Sequence, residues 1–145
     1  MIRRLVTINT SVHSSVIPVT RLNSTVKDLL VYLFDLSPLD FEILLFLIKI
    51  HPESISLEDL SKKVDRDKST VFRSLKRLVI QRIVTKETRT MKERGYFHAY
   101  ASIDKRTLKV ETEKRVTEIK NNFNRLLKHF EDDLDITLQI CDKHL

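Results

Sequence analysis

The chain has 145 residues, of which 41% are hydrophobic and 32% charged, with one glycine, three prolines, one cysteine and a net charge of +6. These totals are typical of a globular, mainly helical chain with short loops, and they argue against a disordered or low-complexity protein. The single cysteine excludes an internal disulfide framework, and no apolar run approaches the roughly 20 residues of a membrane span. We therefore expect a cytoplasmic protein.

The excess positive charge is concentrated in one part of the sequence. Residues 57–103 hold twelve basic and six acidic side chains, whereas the segments before and after each hold equal numbers of the two. A focused basic excess is what a surface that binds the phosphates of a nucleic acid requires.

Residues 1–23 contain three arginines, many serines, threonines and valines, and no acidic residue. We expect an extended N-terminal arm that packs on the body of the protein or on a second chain. A mitochondrial transit peptide has a similar composition and is the alternative interpretation.

The first predicted helix begins at Ser24, whose hydroxyl can cap the helix N-terminus, and runs through Leu36. Apolar residues recur at helical spacing on one face, which predicts that this face packs inward. The residues on this face are Val26, Leu29, Leu30 and Leu33.

A second helix is predicted from Leu39 to Ile50. Ser37 and Pro38 suit its N-cap and first position, and Asp40 falls in the first turn, where the helix dipole favours a carboxylate. The helix is apolar nearly all round, so we expect it to form the centre of the core.

Residues 57–83 are predicted to form two amphipathic helices joined by a short polar turn. Ser56 caps the first helix, and Asp67 stands at the N-cap position of the second. The second helix has an inward stripe of Val71, Leu75 and Leu78 and a basic, hydroxyl-bearing outer face. Two helices in this arrangement describe a helix-turn-helix, in which the second helix reads the major groove of DNA.

The period of the sequence changes from 3.6 to 2 after Ile83. Val84 to Thr90 and Tyr96 to Ile103 are predicted strands, and the turn between them contains the only glycine, Gly95. A helix-turn-helix followed by a hairpin predicts a winged helix, with the hairpin as a basic wing.

The outer face of the second helix, the turn before it and the wing supply the candidate DNA contacts. Arg73 is the candidate for reading a base, because a guanidinium matches guanine O6 and N7, whereas Lys76 and Arg77 are candidates for phosphate. Phe72 is expected to pack on the wing or on the first helix of the motif, with insertion between bases as the alternative. The complete candidate set is Arg66, Lys68, Ser69, Thr70, Arg73, Lys76, Arg77, Arg89, Lys92 and Arg94.

Asp104 is predicted to cap a long C-terminal helix. Its apolar residues follow spacings of three and four, which favours pairing with a second copy, although packing back on its own domain is the alternative. This stripe consists of Val116, Ile119, Phe123, Leu126 and Phe130. Beyond an acidic stretch, a second short helix is predicted from Ile136 to Cys141.

We expect no metal, cofactor or catalytic site. Cys141 and His144 alone do not fill a tetrahedral metal site, and an inert thiol is expected, with pairing of two Cys141 thiols across a dimer as the alternative. The sequence contains no glycine-rich phosphate loop, nucleophile elbow or metal-hydrolase helix motif, so an enzyme is not expected.

Between Leu36 and Ile103 the sequence resembles the winged helix-turn-helix regulators of the MarR and TrmB-like type, which are common in archaea and bacteria. The resemblance lies in DFEILLFLIK, ISLEDLSKKV, DKSTVFRSLKRLVIQRIV and the hairpin ending in GYFHAYASI. It implies a recognition helix in the major groove, a wing on the backbone or minor groove, and a dimer made by the terminal helix. One departure is that Asp65 and the Gln81–Arg82 pair stand where the family usually has glycine.

The sequence thus predicts an α+β, mainly helical winged helix-turn-helix protein with an arm at 1–23, a DNA-binding domain at 24–103 and a dimerisation segment at 104–145. The predicted function is that of a homodimeric regulator of transcription that binds specific sites in double-stranded DNA in the nucleoid. Two alternatives are a protein-interaction module and a non-specific, chromatin-type DNA binder. Any small-molecule effector would bind in the dimer crevice.

Overall fold

The computed structural model describes residues 19, 22–93 and 95–144. The elements are mainly helices, with a small three-stranded antiparallel sheet, which confirms the predicted fold class. The predicted N-terminal arm lies almost entirely outside the described residues. In chain order the elements are α1 (Val26–Phe34), α2 (Pro38–Ile50), β1 (Ile55–Ser56), α3 (Leu57–Val64), α4 (Lys68–Ile80), β2 (Val84–Met91), β3 (Gly95–Ser102), α5 (Lys105–Lys128) and α6 (Phe130–His144).

Helix α1 is capped one residue later than predicted and ends at Phe34 rather than at Leu36. Its N-cap is Thr25, whose backbone N–H donates to the Asp28 carboxylate at 2.9 Å. The inner face also differs: Val26 is 70% exposed, whereas Phe34 is buried. Val26 shares the face of Leu30 and Phe34, but it occupies the first helical position, at the edge of the core.

Helix α2 is the centre of the core, as predicted. Ser37 and Asp40 form a reciprocal capping box, in which each side chain accepts from the other residue's backbone N–H at 3.0 Å. Ile43, Leu44 and Leu47 are completely buried. The side chains packed with them come from α1, α3, α4 and the base of the sheet, and include Phe34, Leu60, Val71, Leu75, Leu78, Ile83 and Tyr100.

The sheet has the strand order β1-β3-β2. Strands β2 and β3 form the predicted hairpin, paired from Val84 opposite Ser102 to Met91 opposite Gly95. Gly95 has φ = 89°, a conformation that favours glycine. The two-residue strand β1, which the sequence pattern did not predict, pairs with the base of β3 and ties the start of α3 to the wing.

Three helices end in the same way, with a left-handed residue that is not glycine. These residues are Asp35 after α1, Asp65 after α3 and Arg82 after α4, with φ between 50° and 65°. After α4, the N–H groups of Ile83 and Arg82 donate to the carbonyls of Leu78 and Val79, the double hydrogen bond of a Schellman motif. Of the departures from glycine noted in the sequence, Asp65 and Arg82 therefore lie at left-handed positions, whereas Gln81 is right-handed.

Arg82→Gly is expected to stabilise the protein. A left-handed residue with a side chain costs about 1 kcal/mol relative to glycine, so the substitution should raise the free energy of unfolding by about that amount. Urea denaturation measures the change. Arg82→Ala is the matched control, because alanine removes the long side chain but retains the backbone cost. An equal gain from alanine would contradict the backbone explanation.

The described residues divide into two units, one ending at Glu111 and the other beginning at Thr112. Asp104 caps α5 as predicted, accepting from the Thr107 N–H at 2.7 Å. Helix α5 ends at Lys128, before the predicted stripe is complete, and the second helix begins at Phe130 rather than at Ile136. The acidic residues that were expected to interrupt the pattern lie in the first turn of α6, where the positive end of the helix dipole stabilises them.

In the part of the chain that the structure describes, no helix combines the length and the apolar character that crossing a membrane requires.

Candidate nucleic-acid interface

The packing of α4 determines which of its faces is exposed. Val71, Ser74, Leu75 and Leu78 are buried, which directs Ser69, Arg73 and Lys76 outward. Among the described residues, neither Arg73 nor Lys76 takes part in an ion pair. Two uncompensated cations one turn apart therefore stand on the exposed side of the helix.

The N-terminus of α4 is capped by Asp67. Its carboxylate accepts from the backbone N–H of Thr70 at 3.2 Å, from the Thr70 hydroxyl at 2.7 Å, and from the hydroxyl of Ser69. These hydrogen bonds, that of Ser69 foremost, lower the pKa of Asp67 to about 2. Asp67 therefore stays charged at neutral pH and holds both hydroxyls in fixed orientations.

Arg73 extends this hydrogen-bond chain along the helix. Its Nη2 atom donates to the Thr70 hydroxyl oxygen at 3.5 Å, and Thr70 in turn donates to Asp67. The guanidinium thus lies above the first turn of α4. In a helix-turn-helix, this turn supplies the side chains that reach base edges.

The two basic residues beside the helix start make contacts within the chain. Lys68 Nζ lies 2.9 Å from Glu58 Oε1, and both side chains are more than 60% exposed. The hydrogen bond from Lys68 lowers the pKa of Glu58. Arg66 donates to the carbonyl of Asp65 at 3.1 Å. Because exposed ion pairs are weak, a phosphate can replace the partner of Lys68 at little cost.

Among the described residues of the wing, Arg89 is engaged in an ion pair. Arg89 donates twice to Glu87 Oε1, at 2.9 and 3.1 Å, and this pair is half-exposed. Lys92 is exposed at the tip, and Arg94 lies outside the described residues.

Phe72 lies at the edge of a groove between the wing and α3. It is 45% exposed and, with Met91 and Phe97 of the wing, lines a cavity of about 560 Å³. The expected packing toward the wing and the first helix of the motif is therefore incomplete, and part of the ring remains in contact with solvent.

Arg77, whose side chain is 50% exposed, is bound by a buried carboxylate of α2. Its guanidinium forms a forked ion pair with Asp40, Nη2 to Oδ1 at 2.8 Å and Nε to Oδ2 at 3.1 Å. The Ser74 hydroxyl also donates to Asp40, whose side chain is 1% exposed. Burial alone raises the pKa of Asp40, but the hydrogen bonds from Arg77 and Ser74 outweigh it, and the pKa lies below its ordinary value.

Sequence periodicity does not reveal the contact between Arg77 and Asp40. The pattern placed Arg77 on the polar side of α4 and Asp40 at a helix start, and both placements hold. The two residues are 37 positions apart, and only the packing of α2 against α4 brings them together.

The predicted dimerisation residues are solvent-accessible in the single chain. Val116, Phe123, Leu126 and Phe130 are 42–56% exposed, and Ile119 is half-buried. Further apolar side chains of α6 are similarly exposed, and none of its described residues is buried. Cys141 is exposed, and the described residues contain no group of three or more potential metal ligands.

Comparison with known proteins finds similarity in sequence to one protein and in structure to others. No protein-family model matches the chain. An uncharacterized protein of Methanocaldococcus jannaschii is 25% identical over 107 residues, which cover 74% of this chain and 80% of that protein. A possible transcriptional regulator from Methanosarcina mazei has a similar structure, with a TM-score of 0.68 and 23% identity over 77% of this chain and 95% of that one. The structure of a protein from the archaeon Sulfolobus tokodaii has a TM-score of 0.55 and 18% identity, covering 66% of this chain and 92% of that one.

These structural likenesses confirm that the chain has the winged helix-turn-helix fold. The resemblance drawn from the sequence is thereby confirmed at the level of the fold. The elements that define it are the α3–α4 pair and the β2–β3 wing, with α2 as the core helix.

Proposed function

We propose that this chain is a regulator of transcription that binds specific sites in double-stranded DNA as a homodimer. The observation that carries the proposal is the outward face of α4, where Arg73 and Lys76 remain unpaired among the described residues. Helix α4 has 13 residues and is therefore about 20 Å long, which fits the major groove. Lys92 on the wing would reach the adjacent backbone or minor groove.

The distribution of charge around α4 supports a division of the candidate residues into those that contact bases and those that contact phosphates. Asp67 and Glu58 lie near the start of α4 and partly offset the local cations, so the first turn is not a general phosphate site. Ser69 and Thr70 in this turn, and Arg73 one turn later, suit contacts with base edges, which need directed donors and acceptors. The exposed basic side chains suit contacts with phosphates. They are Arg66, Lys68, Lys76, Arg89 and Lys92.

The homodimer is supported by the apolar surface of the terminal helices. Phe123 and Leu126 on α5, and Phe130 and Leu134 on α6, are each about half-exposed in the single chain. Helices that bury almost nothing are marginal in water, so a second copy covering this surface would supply the stability they lack. Two recognition helices in successive major grooves would require half-sites about 34–36 Å apart.

Salt dependence of duplex binding tests the proposal. Contact with about six phosphates per dimer predicts that the binding constant falls with salt concentration with a log–log slope near −5. A protein-interaction module would bind no duplex at any salt concentration, which would refute the proposal.

Selection of bound sites from a random DNA pool tests the specific part of the proposal. A sequence-specific regulator should enrich one motif and bind it at least about 10³-fold more tightly than random duplex. A chromatin-type binder would give the salt slope without enrichment.

A further inference from the structure

The cluster formed by Asp40, Ser74 and Arg77 joins the first turn of α2 to the last turns of α4. All the acceptor positions of the buried carboxylate are used. Oδ1 accepts from the Ser74 hydroxyl and from Arg77 Nη2, and Oδ2 accepts from Arg77 Nε and from the backbone N–H of Ser37. The carboxylate is therefore held from both helices, with an orientation that leaves it no alternative partner.

The chemistry of this cluster indicates a role beyond stability. Burying a carboxylate requires desolvation, which the hydrogen bonds from Arg77 and Ser74 offset here, but apolar side chains often fill such a position at least as stably. The core-facing positions nearest in sequence are apolar and completely buried: Ile43 and Leu44 on α2, and Val71, Leu75 and Leu78 on α4. Unlike apolar packing, the cluster depends on directional hydrogen bonds, which form only when the two helices have one particular orientation.

The cluster thereby fixes the rotation of α4 about its own axis. Ser74 and Arg77 lie three residues apart on one side of the helix, and both bind one carboxylate. Arg73 and Lys76 each precede one of these residues by a single position. A rotation of α4 by about 20° would displace groups on the helix surface by about 2 Å, more than a hydrogen bond to a base edge tolerates.

We propose that Asp40 is a positioning residue for DNA recognition, which holds α4 through Ser74 and Arg77 so that Arg73 faces the bases. This inference rests on the proposed function. Asp40 itself would contact no DNA. Arg77, whose charge Asp40 neutralises, would add nothing to the count of phosphate contacts.

Four variants test this role. Asp40→Asn and Arg77→Met break the ion pair, whereas Arg77→Lys keeps the positive charge but loses the forked geometry. Ser37→Ala is the control. Ser37→Ala removes the side-chain cap of α2 and so weakens the fold, but it keeps the backbone N–H that donates to Asp40 and removes no hydrogen bond that the structure shows to α4. Each variant is measured for binding to the selected site and to random duplex, for the salt slope, and for stability in urea.

We expect the three cluster variants to bind the selected site about tenfold more weakly, with unchanged binding to random duplex and an unchanged salt slope. Ser37→Ala should lose stability but keep its site preference. If Asp40→Asn does not fold, Arg77→Lys carries the test, because it leaves every other partner of the carboxylate in place.

Two results would overturn the inference. If Arg77→Met weakens binding to all duplexes and reduces the slope by about 1, while Arg77→Lys behaves like the original chain, then Arg77 is a phosphate contact. If Ser37→Ala loses site preference as much as Asp40→Asn does, the effect reflects general destabilisation. A chain that binds no duplex before any substitution refutes the proposed function itself, which is a separate outcome.

Discussion

Phe123→Asp is expected to convert the proposed homodimer into monomers. Phe123 lies in the middle of the apolar stripe on α5 and is 56% exposed in the single chain, so the substitution leaves the fold of one chain intact. In the dimer, however, the carboxylate would be buried against apolar side chains without a partner. The dimer dissociation constant should rise by roughly two orders of magnitude, which sedimentation or light scattering measures directly.

The matched control is Asn121→Asp, which introduces the same charge on the same helix. Position 121 is two residues from Phe123 and therefore points about 160° away, off the stripe. This variant should remain dimeric. Monomers from both variants would indicate a general effect of negative charge on α5, and a dimer that survives Phe123→Asp would refute the stripe as the interface.

DNA binding should follow the oligomeric state. A monomer presents one recognition helix instead of two, so the log–log salt slope of Phe123→Asp should fall to about half, because half of the phosphates are contacted. Asn121→Asp should keep the full slope. This second measurement links the terminal helices to the interface on α4 without requiring any knowledge of the operator.

Most of the fold could be predicted from capping and turn residues that act over a few positions of the sequence. Ser37, Pro38 and Asp40 signalled the start of α2, Asp67 signalled the start of α4, and Gly95 marked the turn of the wing. Each signal involves residues within three or four positions of one another, where backbone geometry alone decides which side chains can satisfy the free N–H groups. The structure shows these caps and this turn at the predicted residues, whereas the N-cap of α1 is Thr25 rather than Ser24.

The features that the sequence did not predict depend on contacts between distant residues. Strand β1 exists because Ile55 and Ser56 pair with β3, more than 40 positions later. The ion pair of Arg77 with Asp40 depends in the same way on helix packing. Phe34 is buried because α1 meets the core at its C-terminal end, which helical periodicity alone does not reveal.

The structure adds hydrogen-bond partners that the sequence did not predict for the candidate site residues. Ser69 and Thr70 lie at the start of α4 as expected, but their hydroxyl protons are engaged with Asp67. They can therefore accept hydrogen bonds more readily than donate them, which favours contact with a base amino group over contact with phosphate. Arg73 and Lys76 keep the positions that the helical pattern predicted.

Arg73→Ala is expected to remove much of the preference for the selected site. A guanidinium that binds a guanine through two hydrogen bonds contributes about 1–3 kcal/mol of discrimination, so specific affinity should fall between about fivefold and 150-fold. Binding to random duplex should change little, because the lost contact is to a base. Competition between the selected site and sites varied at one base pair measures both quantities and identifies the position that Arg73 reads.

Two variants separate base reading from simple loss of charge. Lys76→Ala also removes one exposed cation from α4, but as a phosphate contact it should weaken all duplexes alike and reduce the salt slope by about 1. Arg73→Lys keeps the charge while losing the planar fork, so it should resemble Arg73→Ala in its relaxed preference. If Arg73→Ala and Lys76→Ala behave identically, Arg73 is a phosphate contact, and base recognition must then come from Ser69 and Thr70 in the first turn of the helix.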